Sequence, residues 1–317
     1  MARRRVPDPQ PHLNQTASPD PASMQRHRAV DTTAATVMVV LCALWGLGQI
    51  AIKVGVEGIS PIFQAGLRSA GAAVIVLAWM AARGIRPWPA VEMILPGIAI
   101  GVLFAIEFIC FYQGLTLTTA SRATVLIYTA PFFVAIGGHF LFNDPLSRRK
   151  ALGLVLAFAG VAFAMADHAR GTPAEVSWIG DLLCVAAGLF WGLTTVLIKS
   201  SALRAEQAER ALLYQLVVSA IVMLALAPLL GEAGFTDPTP LVWMALAYQI
   251  LVVASFSYLG WFMLIRNYSP SQLSAFTFLT PVFGVAFAAV LLREPVGASL
   301  LAALALIAGG IWLVNRP

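Results

Sequence analysis

The sequence predicts an all-α integral membrane protein, ten transmembrane helices arranged as two inverted five-helix repeats. Three observations carry that expectation. Of the 317 residues, 59% are hydrophobic and 11% charged, whereas a soluble domain holds about 25% charged residues. Ten apolar runs follow one another, each near the ~20 residues that a hydrocarbon layer about 30 Å thick demands. The chain is also written twice. Pro131 and the acidic-proline pair Asp144-Pro145 recur 150 positions later as Pro281 and Glu294-Pro295, and Ser121, Phe133 and Leu141 return as Ser271, Phe283 and Leu291. Trp45-Gly46 lies eight residues before Lys53, as Trp191-Gly192 lies eight before Lys199.

Residues 1–33 are polar and proline-rich and carry Arg3, Arg4, Arg5, Arg26 and Arg28. They read as a disordered basic cytoplasmic tail. No apolar run precedes Ala34, so the segment is not a usual signal peptide. The first repeat, 34–167, holds spans at 34–54, 62–82, 93–115, 120–142 and 149–167. The second, 178–315, holds spans at 178–198, 210–230, 241–264, 271–292 and 297–314. The net charge of +5 does not point to nucleic acid, because the positive side chains lie in short loops and form no continuous patch.

Charge sets the orientation. With the N-terminus in the cytoplasm, 15 of the 20 Lys and Arg residues fall on cytoplasmic tails, loops and helix ends, as the positive-inside rule requires. Both termini are then cytoplasmic. Five spans per repeat is odd, so the second copy enters from the opposite face, with a pseudo-twofold axis in the membrane plane. Secondary transporters built this way bind substrate near the midplane between the repeats.

Several residues are candidates for a path. Pro131 and Pro281 each remove a helix hydrogen bond and free carbonyls near Ile127 and Thr277. At matched positions they read as paired hinges beside a cavity. Trp45 and Trp191 sit mid-span, where an indole needs a partner or a wet cavity, unlike Trp88, Trp178 and Trp243 at the interface. Gly188-x-x-x-Gly192 and Gly97-x-x-x-Gly101 allow close helix approach.

Glu107 is the acid well inside a span, about 12 Å from the outer end of its helix, and Arg68 lies about 9 Å from the outer end of the second span. Such a charge faces a cavity or a partner, or is protonated. Glu107 is therefore a proton or substrate-amine site, and an ion pair with Arg68 is the structural alternative. Tyr112 and Tyr258 join Trp45, Glu107 and Trp191 as cavity candidates. Further polar groups that line a path or join helices are Gln49, Gln113, Tyr128, Thr129, Thr194, Thr195, Tyr248, Ser255 and Thr280. His139 reads as structural. Lys53, Lys199 and Arg122 stand near span ends, where long side chains snorkel.

Cys42, Cys110 and Cys184 lie in apolar runs and suggest small core residues, with neither a disulfide framework nor metal spacing. No zinc motif, phosphate-binding glycine loop or nucleophile elbow is present. The expectation is no cofactor, no metal and no enzymatic activity. The expected partners are a small-molecule substrate, the lipid bilayer and protons as a coupling ion.

The ten spans, the two halves, Trp-Gly with a lysine eight residues on, Leu67-Arg68, and the mid-span proline before Asp144-Pro145 or Glu294-Pro295 resemble the EamA domain family. That family belongs to the drug/metabolite transporter superfamily. The resemblance implies spans 1, 3, 4, 6, 8 and 9 around a central cavity, alternating access, and export of amino acids or similar metabolites across the cytoplasmic membrane. Val218 stands where the first half has Arg68, so the halves are not functionally equal. A drug or nucleotide-sugar carrier on the same scaffold is the alternative. A channel would need a ring-lined pore, and an intramembrane enzyme a converging set of catalytic groups.

Overall fold

The computed structural model describes residues 30–87, 91–142, 147–166, 177–201, 203, 208–268, 273, 276–277 and 279–315. Most of the predicted tail, Asp144-Pro145, Trp88 and Ser271 lie outside them. The tail ends earlier than expected. Asp31 accepts a hydrogen bond from the Ala34 N–H and caps α1 (Thr32–Gly55), so residues 32 and 33 are already helical.

The other helices follow the apolar runs closely: α2 (Pro61–Ala82), α3 (Ile94–Leu117), α4 (Ala120–Ile127), α5 (Ala130–Phe142), α6 (Arg148–Ala166), α7 (Trp178–Ser200), α8 (Ala208–Leu229), α9 (Pro240–Tyr248), α10 (Tyr258–Asn267), α11 (Leu279–Leu291) and α12 (Ala298–Asn315). A nine-residue π-helical segment, Gln249–Ser257, joins α9 to α10. Among the described residues, seven helical stretches are long and apolar enough to cross a membrane, and Leu279–Leu291 and Ala298–Leu313 are shorter apolar helices.

Two predicted spans are not continuous α-helices. The fourth stops at Ile127 and restarts at Ala130, with Pro131 in the first turn of α5. The ninth restarts at Leu279, with Pro281 again in the first turn. A kink within one helix was expected. The structure shows a break instead, with turn bonds from Thr129 N to Leu126 O and from Phe132 N to Thr129 O. A proline in a first turn loses no intrahelical bond, since that N–H has no helical acceptor.

Small residues seat the broken helices. A Cβ added at Gly192 of α7 would lie 2.7 Å from Phe133 Cβ, and one at Gly188 would lie 2.6 Å from Thr129 Oγ1. The first half repeats the contact. A Cβ at Gly46 of α1 would lie 2.8 Å from Gly284 N and 2.9 Å from Phe283 Cβ. So the glycine of each Trp-Gly pair is where the other half's broken span touches. Gly97 and Gly101 do the same for α8, against Tyr214 and Val218.

The packing partners are interchanged when the halves are swapped. α6 packs on α12, α2 on α8, and α4 on α11. The contact of α3 with α7 is matched by that of α1 with α9. The contact of α1 with α11 is matched by that of α7 with α5. Lys53, at the end of α1, donates to Leu115 O and Thr118 O at the end of α3. Ser177, just before α7, donates its N–H to Leu117 O. α7 therefore starts at the end of the bundle where α1 finishes.

Candidate functional site

A polar seam runs between α1, α2, α3 and the π-helical segment. On α2, Gln64 and Arg68 are one turn apart and buried, because residues four apart share a helix face. On α3, Phe104, Phe108 and Tyr112 form the facing stripe, with ring centroids 4.6 and 6.0 Å apart in sequence. The Arg68 guanidinium lies 4.2 Å from the Phe108 ring centroid, a cation-π contact that strengthens away from water. Glu107 is 5% exposed, within electrostatic reach of Arg68. No hydrogen bond joins the pair. Glu107 Oε2, Arg68 Nε and Nη1 and both polar atoms of Gln64 are buried without a protein partner. Each such group carries a cost of about 1–3 kcal/mol, and paired charges would normally relieve it. The seam thus keeps unmet hydrogen-bonding capacity on an acid and a base side by side.

Tyr112 is fully buried, and its hydroxyl donates to Gln249 Oε1 at 2.6 Å. Gln249 Nε2 in turn donates to Ala51 O at 3.0 Å. Tyr258, at the start of α10, brings its hydroxyl near Arg68 and Glu107. π-Helical turns concentrate at functional sites, and this one carries Gln249 at its start and ends beside Tyr258. Gln249 was missed by sequence reasoning. No local pattern marks it, because its partners sit 137 and 198 residues away.

The two tryptophans find different settings. Trp45 Nε1 donates to Ser257 Oγ at 2.8 Å, and its ring meets Trp261 edge-on at 6.0 Å. Trp191 meets Tyr128 edge-on at 5.5 Å. Trp45, Trp191 and Tyr258 are half-buried, whereas Glu107 and Tyr112 are buried. An open chamber was expected around these five. In this conformation Glu107, Tyr112 and Trp45 are instead packed against protein. A crevice of about 10 Å³ lies beside Thr129, Phe132, Phe133 and Val185, room for one water at most.

Two snorkelling expectations are corrected. Arg122 is buried and pairs with Asp181, which is itself fully buried. Its guanidinium also donates to Ala164 O, and Thr118 Oγ1 donates to Asp181 Oδ1 at 2.7 Å. Lys53 is bonded to the end of α3 as described. Buried carboxylates thus include Asp181 and Glu209 as well as Glu107. Asp181 escaped notice because a residue in the first turn of a span reads as an interfacial charge. Lys199 is exposed. Cys42 and Cys184 are buried free thiols, and Cys110 is half-buried.

Comparison with known proteins agrees with this architecture. A relative from Archaeoglobus fulgidus described as an uncharacterized transporter is 27% identical over 263 residues, covering 81% of this chain and 89% of its own. A Salmonella typhimurium protein described as a probable amino-acid metabolite efflux pump is 27% identical, covering 87% and 92%. A solved crystal structure superposes with a TM-score of 0.64 at 18% identity, over 89% of this chain and 98% of the other, a likeness of fold alone. The model of the EamA-like transporter family matches residues 32–166 and again 178–316. A multi-pass helical chain whose two halves each match one family belongs to it: this is a membrane transporter of the EamA-like transporter family.

Proposed function

We propose that the protein exports small organic metabolites, amino acids or close relatives, across the cytoplasmic membrane by alternating access. The observation that carries this reading is the buried Glu107 and Arg68, each keeping polar atoms without a hydrogen-bond partner, beside Tyr112, Gln249 and Tyr258. An α-amino acid offers an ammonium to the carboxylate and a carboxylate to the guanidinium, which forks two donors toward it. The description of relatives as amino-acid metabolite efflux pumps supports the same class. Trp45, Glu107, Tyr112, Trp191 and Tyr258 line the path in this reading, and the chain breaks at Pro131 and Pro281 are its hinges. The ten spans form two inverted repeats, 34–167 and 178–315, with both termini cytoplasmic. The antiparallel ends of α1 and α7 favour that inversion.

Glu107 also carries the coupling proton. The test is Glu107→Gln in proteoliposomes loaded with radiolabelled amino acids. Uptake driven by a pH gradient is lost, while counterflow exchange continues with a raised KM, because the glutamine carbonyl still accepts from the ammonium without carrying charge or proton. Gradient-driven transport at the native rate removes Glu107 from the coupling step.

A further inference from the structure

Two helices of the first half begin without enough donors' partners of their own. α2 has no side-chain cap at Ser60, and Pro61 has no N–H. Its next two N–H groups, Ile62 and Phe63, donate to Glu232 Oε1 and Oε2 at 3.1 and 2.9 Å. At α4, the Thr119 hydroxyl accepts from the Arg122 N–H. The Ala120 and Ser121 N–H groups donate to Glu294 Oε1 and Oε2 at 2.8 and 2.9 Å, and the Ser121 hydroxyl adds a bond of 2.7 Å. Both carboxylates belong to second-half loops, after α8 and after α11. Both helix starts belong to the first half. Gln113 of α3 also donates to Glu232, at 3.2 Å. The buried Asp181–Arg122 pair joins the halves at the same end, as does the bridge between Ile59 and Phe235.

We propose that Glu232 and Glu294 are paired latches that hold this end of the transporter shut and must leave α2 and α4 for it to open. A carboxylate across two free N–H groups gains from both hydrogen bonds and the helix dipole. Water can replace it on opening, so the contact is strong yet reversible, as an apolar seal is not. The sequence hint is Glu294-Pro295, where proline stiffens the loop carrying the acid. The reading rests on alternating access as proposed above, with this end facing outward.

The native chain holds a reporter. Cys184 is fully buried on α7, one turn below Asp181. Met38, its counterpart at the Trp-Gly offset of 146, is fully buried near the other end. Full-length protein in right-side-out and inverted vesicles is labelled with a membrane-impermeant maleimide. One background is Cys42→Ala with Cys110→Ala; the other adds Cys184→Ala and Met38→Cys. Glu232→Gln or Glu294→Gln is expected to speed outer-face labelling of Cys184 about tenfold or more, while labelling at position 38 does not rise. Should a glutamine variant fail to fold, Glu232→Asp and Glu294→Asp carry the test, since an acid one methylene shorter does not reach the two donors. Unchanged Cys184 labelling in folded variants overturns the latch. Equal acceleration at both reporters means general loosening and overturns it too. Acceleration from the cytoplasmic face alone supports the latch and overturns the orientation instead.

Discussion

Arg122 and Asp181 are held in a dry setting, so each is tolerable only while the other is present. Asp181 accepts from the guanidinium and from Thr118, and Arg122 also reaches Ala164 O. Desolvating two such ions costs several kcal/mol, and removing one strands the other. Asp181→Ala is therefore expected to lose about 3–5 kcal/mol, read as a drop in thermal midpoint of detergent-purified protein. Asp181→Ala melting with the native protein would contradict the burial of the pair. Arg68 and Glu107 are the opposite case. They are near one another yet retain unmet hydrogen-bonding capacity, which is how a site is kept ready for a ligand. Their depth was legible in the sequence, since an acid eight residues from a helix end is conspicuous. Their coupling to Tyr112, Gln249 and Tyr258 was not, because it depends on how α3 meets the π-helical segment.

Among the elements, the Trp-Gly repeat is the clearest match between pattern and packing. Its glycines sit where a broken span crosses, and a side chain there has no room. Gly192→Ala would place a methyl 2.7 Å from Phe133 Cβ, an overpacking that costs about 1–3 kcal/mol. Gly309→Ala meets nothing within 4 Å and should leave stability unchanged or slightly raised. Equal melting behaviour of the two variants would refute the close-contact role. Pro131 and Pro281 marked the right places, but the local structure differed from a simple kink. Proline tells where a helix restarts; whether the chain breaks there depends on neighbours such as Gly188 that accept the irregular backbone. The π-helical segment had no advance sign at all. Apart from Gln249, Ser255 and Ser257 its residues are apolar and helix-compatible, and the widened turn is accompanied by a bond from Ser255 Oγ to Ile250 O, five residues back.

For the whole molecule, periodicity and length were enough to outline the helices, usually within two residues of their ends. The tail boundary moved only because Asp31 caps α1. What could not be read was conformation. Glu107 and Tyr112 are packed against protein here, among contacts spanning well over a hundred residues, such as Tyr112 with Gln249. Those contacts join one half to the other, and they have meaning for transport only if the halves face opposite ways in the bilayer.

That antiparallel placement is the claim to test first. Single cysteines at Glu57 after α1, Arg83 after α2 and Ser177 before α7, each in a background without the three native cysteines, are probed with an impermeant thiol reagent in sealed vesicles of known sidedness. Glu57→Cys and Ser177→Cys should react from the outer face and Arg83→Cys from the cytoplasmic face. If Ser177→Cys reacts with Arg83→Cys from the cytoplasmic side, α1 and α7 cross in the same direction and the account fails.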